Sequence, residues 1–105
     1  MSERVYIAGP MTGLPDLNFP AFERAAARLR ESGYTVISPH EVCPDKGMAW
    51  ADALRRDIPA LCTCTVVALL PGWQKSKGAT LEKAIADALG MRVIFVDHFA
   101  EIGRS

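Results

Sequence analysis

Four short apolar runs punctuate the chain, and apolar residues at three- and four-residue spacing fill the stretches between them. Val5 to Ala8, Tyr34 to Ser38, Thr65 to Leu70 and Arg92 to Val96 are rich in Val, Ile and aromatic residues, so each is expected to be a strand. Gly9-Pro10 closes the first run and Pro39 the second. Phe22, Ala25, Ala26 and Leu29 form one helical stripe, with Pro20 tolerated in the first turn and Gly33 as the stop. Ala51, Leu54, Ile58 and Leu61 form a second, which Pro59 is expected to kink between Arg55 and Pro59, because proline removes one backbone bond. Leu81, Ala84, Ile85, Ala88 and Leu89 form a third, ending at Gly90.

The resulting order is β-α-β-α-β-α-β. Near-continuous apolar strands belong in a parallel sheet covered by helices on both faces, and right-handed crossovers make the arrangement doubly wound. The expected fold is therefore a doubly wound α/β sheet of four or five parallel strands. Ligands of such sheets sit beyond the carboxyl ends of the strands where the winding reverses, here between the first and third strands. The two segments of oddest composition meet there: Gly9-Pro10-Met11-Thr12-Gly13 and the loop from Pro71 to Gly78.

Composition narrows the ligand. Half of the 105 residues are hydrophobic, enough for one domain spanning 1–105 with a core that needs neither disulfides nor metal. Twelve basic and twelve acidic side chains cancel, so nothing pulls the chain toward a nucleic-acid polymer or an anionic membrane. A single nucleotide suits that balance better. The three cysteines, Cys43, Cys62 and Cys64, are read as buried, reduced thiols of a cytoplasmic protein, since no secretory leader or membrane-length apolar stretch accompanies them. No metal is expected, because no Cys-x-x-Cys knuckle completes a site around His40 and Cys43. No cofactor is expected either: the G-x-G-x-x-G and G-x-x-x-x-G-K-[ST] signatures are both absent.

Glu82 carries the most chemical interest. It follows a glycine-containing loop and is expected in the first turn of the third helix, where the dipole favours the ionised form by ~0.3–1 kcal/mol. An ionised carboxylate there can attack, although a solvated glutamate that merely stabilises its helix fits the same position.

Three segments together resemble the nucleoside 2-deoxyribosyltransferase superfamily: Tyr6-Ile7-Ala8-Gly9-Pro10, Asp57-Ile58, and Ser76-Lys77-Gly78-Ala79-Thr80-Leu81-Glu82. That group includes the 2'-deoxynucleoside 5'-monophosphate N-hydrolases and short, often phage-associated proteins of undefined function (DUF4406), to which the chain is most similar. The resemblance spans residues 5 to 96 and implies a flavodoxin- or Rossmann-like three-layer fold. It also implies that Glu82 attacks the anomeric carbon of a sugar, that Tyr6 orients Glu82, and that Asp57 binds the sugar or protonates the leaving base. Substrate would lie against Gly9, Pro10 and Met11 after the first strand and Gly72, Trp73, Ser76 and Gly78 after the third. Other fates remain open at this level: Tyr6 as a core aromatic, Asp57 paired with Arg55 or Arg56 on a solvated face, Trp50 and Trp73 in the core, against a base or at an interface.

Within the superfamily, the residue six positions before the nucleophile separates two branches. The transferases resemble one another in an aspartate that meets the base, whereas the monophosphate hydrolases carry a serine that contacts phosphate. Ser76 is that serine, flanked by Lys75 and Lys77. Two departures stand against a complete pocket: Cys64-Thr65 replaces an acidic residue common before the third strand, and little chain follows the fourth strand to contact a ligand across a subunit interface. The expected activity is cleavage of the N-glycosidic bond of a (deoxy)nucleoside 5'-monophosphate by a homodimer or larger homo-oligomer. The alternatives are 2-deoxyribosyl transfer between bases, and nucleotide binding without chemistry.

Overall fold

The computed structural model describes residues 3–96. Its four strands, β1 (Arg4–Ala8), β2 (Thr35–Ile37), β3 (Val66–Leu69) and β4 (Arg92–Phe95), are all parallel and lie in the order β2-β1-β3-β4. Helix α1 (Phe19–Glu31) joins β1 to β2. The single turn α2 (Pro39–Val42) and helix α3 (Trp50–Leu61) lead to β3, and α4 (Lys77–Ala88) leads to β4. Winding thus reverses between β1 and β3, the two central strands.

Side-chain alternation along these strands builds two cores. Val5, Ile7, Val66 and Ala68 cluster with Phe22, Ala25, Ala26 and Leu29 of α1, so the stripe read from the sequence is the face that α1 buries. Tyr6, Ala8, Val67 and Leu69 point the other way, to Leu61 of α3 and to Ala79 and Ala86 of α4. Burial of a leucine such as Leu61, fully excluded from solvent, stabilises the fold by about 1.5–3 kcal/mol. At the carboxyl end of β1 the backbone runs so close to the neighbouring strand that a Cβ on Gly9 would lie 2.7 Å from Cβ of Leu70. Only glycine fits there. Among the described residues no helix is long and apolar enough to cross a membrane.

Helix α3 continues through Pro59 to Leu61, as its apolar stripe predicts. The proline lies near the helix end, and the carbonyl it deprives of a partner belongs to exposed Arg55, where water can satisfy it. In α4 the expected stripe is not the buried face: Leu81 and Leu89 are 39% and 54% exposed, Ala84 and Ala88 are exposed, and only Ile85 is half-buried. The buried residues are Ala79, Glu82 and Ala86. Small residues let α4 lie close on the sheet, and that closeness turns Glu82 inward.

This inverted face is testable by thermal unfolding. Leu89→Ser is expected to change stability by no more than about 0.5 kcal/mol, as exposed positions do. Ala86→Leu forces a larger side chain between α4 and the sheet and is expected to cost about 1–3 kcal/mol. The reverse ranking would refute the orientation of α4.

Candidate active site

Three elements each bring one acidic or hydroxyl group to the reversal point. Tyr6, fully buried on β1, donates its phenolic hydrogen to Oε2 of Glu82 at 2.6 Å. Glu82 itself is only 5% exposed, and its second oxygen, Oε1, has no hydrogen-bond partner among the described residues. Asp57, 6% exposed on α3, accepts at Oδ1 from the Cys43 thiol at 3.5 Å. It does not pair with its neighbouring arginines: Arg55 turns instead to Asp52, at 2.7 Å. Both carboxyl groups line one cavity of about 290 Å³.

The start of α4 explains how the glutamate reaches this place. Ser76 is the N-cap, its Oγ accepting from the Ala79 backbone N–H at 3.1 Å, and α4 begins at Lys77. Glu82 is therefore in the second turn, not the first, beyond the reach of a dipole effect that fades within one turn. Burial prevails. It pushes the Glu82 carboxyl up to about 8; the Tyr6 hydrogen bond opposes this and the charge of Asp57 reinforces it. Burial also raises Asp57 to about 6, against the pull of the Cys43 thiol. Tyr6 is held well above its ordinary value by burial and by Glu82, so it stays a hydrogen donor.

The opposite wall comes from the loops after β1 and β2. Asp16, Leu17 and Asn18 are three consecutive non-glycine residues in the left-handed region, with φ of 53°, 51° and 61°. Two tethers hold this turn: the Asn18 side chain donates to the Pro10 carbonyl at 3.0 Å, and Lys46 pairs with Asp16 at 3.0 Å while lying 5.0 Å above the Phe19 ring. Leu17, Phe19, Met48 and Trp50 give the cavity its apolar side.

A second cavity, about 380 Å³, adjoins the first and shares Met11, Thr12, Trp50, Ser76 and Gly78 with it; Pro10, Lys75 and Lys77 complete its lining. The Lys77 ammonium sits 4.8 Å over the Trp50 ring. A Cβ on Gly78 would come within 3.3 Å of the Trp50 indole nitrogen, so glycine lets α3 and α4 close together at this corner.

Of the residues singled out in the sequence, Glu82, Asp57, Gly9, Met11, Ser76 and Gly78 line the first cavity, and Tyr6 supports it from beneath through Glu82. Pro10 lines only the second. Gly72 and Trp73 line neither. Gly72, with φ of 86°, is the left-handed residue that starts the short turn Trp73–Lys75, and Trp73 packs half-buried against the core below α4 with Lys83 5.8 Å over its ring. Sequence reasoning missed Cys43, Lys46 and Phe19. The signal was topological: in a parallel sheet the loop after β2 ends on the same edge as those after β1 and β3. Nor are all three thiols buried, since Cys62 is exposed.

The buried carboxyl pair stands at the reversal point of a doubly wound, all-parallel α/β protein. Its fold matches that of a 2-desoxiribosyltransferase from Leishmania mexicana with a TM-score of 0.68. The two chains are 18% identical, and the match covers 89% of this chain but 63% of the other, so this chain spans less than two thirds of that protein. Residues 3–95 match the family described as a domain of unknown function, DUF4406, and the chain belongs to that family. No curated protein sequence matches it.

The elevated carboxyls make stability depend on pH in a definite direction. A carboxyl whose folded value lies above its unfolded one binds its proton more tightly when folded. That contribution is fully present below the ordinary value of 4.5 and is lost as pH rises through about 8 for Glu82. Asp57 acts in the same sense, from 3.8 up through about 6. The unfolding midpoint in urea is expected to fall between pH 5 and pH 8, and Glu82→Gln is expected to flatten most of that slope. A midpoint that rises over this range would contradict the burial of both groups.

Proposed function

We propose that this protein cleaves the N-glycosidic bond of a (deoxy)nucleoside 5'-monophosphate through a glycosyl-enzyme on Glu82, which water then resolves. The observation that carries the reading is the asymmetry of Glu82: Tyr6 occupies Oε2, while Oε1 has no partner among the described residues and lies beside a cavity that a second buried carboxyl shares. A retaining glycosidic reaction asks for such a pair. Oε1 attacks the anomeric carbon as the bond to the base breaks, and the protonated Asp57 delivers its hydrogen to the departing base. Asp57, now ionised, takes a proton from the water that opens the glycosyl ester, and Glu82 leaves as a carboxylate. Tyr6 keeps its hydrogen throughout and spreads the charge on Oε2.

The reactive form carries one proton on the pair, residing on Asp57. Burial raises both carboxyls, so the pair retains a proton toward neutral pH, and the tautomer with that proton on Asp57 is the reactive one. Positive charge developing at the anomeric carbon next to Oε1 favours it in the transition state. Ser76, Lys75 and Lys77 around the second cavity support the monophosphate as substrate. The Ser76 hydroxyl accepts from Ala79, which leaves its hydrogen free for a phosphate oxygen. Transfer of the sugar to a second base is the reading favoured by the fold likeness to a 2-desoxiribosyltransferase. Chromatography of a nucleotide panel with and without added free base separates the two outcomes.

Three results are expected. Glu82→Ala abolishes release of base while Glu82→Gln still binds nucleotide, and undiminished turnover in either would remove Glu82 from the chemistry. The profile of kcat/KM against pH is bell-shaped, with limbs near 6 and 8 that belong to the pair, so a profile flat across this range would refute the shared proton. Ser76→Asp keeps a good helix cap and places a negative charge in the anion cradle. It should reduce the advantage of monophosphate over nucleoside by roughly ten- to a hundredfold, as loss of ~1.5–3 kcal/mol implies. Ser76→Ala is a poorer probe, because loss of the cap alone costs about 0.5–2 kcal/mol.

A further inference from the structure

Cys43 closes the single turn α2 and presents its thiol, 6% exposed, to the side of α3. Two acceptors lie within its range, Oδ1 of Asp57 at 3.5 Å and the Ala53 carbonyl at 3.7 Å, one helical turn apart. A thiol has one hydrogen. The Ala53 carbonyl already accepts from the Asp57 backbone within the helix, whereas the Asp57 carboxyl receives no other hydrogen bond among the described residues. The remaining groups that act on Asp57 are Glu82 from α4 and Tyr6 from β1, the first a like charge when ionised and the second committed to Glu82. Arg56, next along α3, is exposed, and Arg55 is turned to Asp52.

We propose that Cys43 is a positioning residue for this site: by donating to Oδ1 across the seam between α2 and α3, its thiol fixes the Asp57 carboxyl so that Oδ2 alone faces the ligand. Without that tether the carboxyl rotates freely about χ2, and either oxygen meets the substrate. The thiol also supports the ionised state of Asp57, so it bears on where the single proton of the pair resides. Conversely, burial, reinforced by Asp57, pushes the Cys43 thiol up to about 11, which keeps it protonated as the donor and inert as a nucleophile. This role rests on the catalytic reading of Asp57 given above, but its first tests do not require any turnover.

The experiment follows the Asp57 carboxyl by 13C NMR of the full chain labelled at aspartate, assigned with Asp57→Asn, in the unmodified protein, Cys43→Ala and Cys43→Ser. In Cys43→Ala the Asp57 midpoint is expected to rise by about half to one pH unit, less than the roughly one to two units of an ordinary hydrogen bond to a charged group because a thiol is a weak donor, and Cys43→Ser is expected to return it toward the original. The acid limb of kcat/KM moves with it. A midpoint that stays in place in Cys43→Ala, or fails to return in Cys43→Ser, overturns the proposal. Should Cys43→Ala not fold, the unmodified protein still decides. The Raman S–H stretch of Cys43, identified by difference against Cys43→Ser, should move to higher frequency as pH falls through the Asp57 midpoint, since a carboxylic acid is a weaker acceptor than a carboxylate. A band that does not move overturns the proposal too. If instead the NMR and Raman signals behave as expected while no base is released from any nucleotide, the catalytic reading fails and the thiol–carboxyl tether stands.

Discussion

The hydrogen bond from Tyr6 to Glu82 joins the central strand to the helix that crosses behind it, and the site is arranged around the demand it makes. A carboxyl cannot be buried against a parallel sheet without a donor, because desolvating an unpaired polar group costs about 1–3 kcal/mol on mutational evidence, and more for a charge. Tyr6 supplies that donor from a fully enclosed position on β1. Its ring is part of the core and its hydroxyl part of the site, so packing and chemistry meet in one side chain. The small residues Ala79 and Ala86, one on each side of Glu82 along α4, bring the helix near enough for the bond to form.

Seen from that bond, the two carboxyls have different surroundings for different reasons. Glu82 has a neutral phenol that never gives up its proton, and Asp57 has a weak thiol donor from another loop. Among the described residues no cation bonds to either. The lysines of the site, Lys46, Lys75 and Lys77, lie toward the mouth and the second cavity. A cation beside the carboxyls would hold both ionised. Its absence from their hydrogen bonds lets one proton be retained near neutral pH, as the proposed general acid would require.

The fold was legible because parallel strands buried on both faces are spelled as apolar runs, and β1 and β3 are such runs. Their reversal point followed from handedness alone. The site was only half legible. Glu82, Asp57 and Tyr6 were singled out by likeness of short motifs and do lie together, yet the reason for the glutamate's properties was misread. Hydrophobic periodicity weighs large residues most, so Leu81 and Leu89 looked like the buried face of α4. Close packing instead chose the small ones, and a helix that begins at Lys77 puts Glu82 one turn deeper than the sequence suggested. Cys43 was invisible for another reason: its meaning lies in a contact with Asp57, fourteen residues on, that no local pattern encodes.

The left-handed turn at Asp16, Leu17 and Asn18 gives the molecule an uneven mechanical character. Each non-glycine residue in that conformation stores on the order of 1–3 kcal/mol, held in place by the Lys46–Asp16 pair and the Asn18–Pro10 bond, of which the first is largely exposed to solvent. Amide hydrogens in this wall should therefore exchange earlier than those of β1 and β3, whose opening requires the whole sheet to come apart. The protein is stiff where it holds the carboxyls and yielding along the outer wall of the cavity. A tightening of the turn by binding would register there, as slowed exchange, before any change reached the sheet.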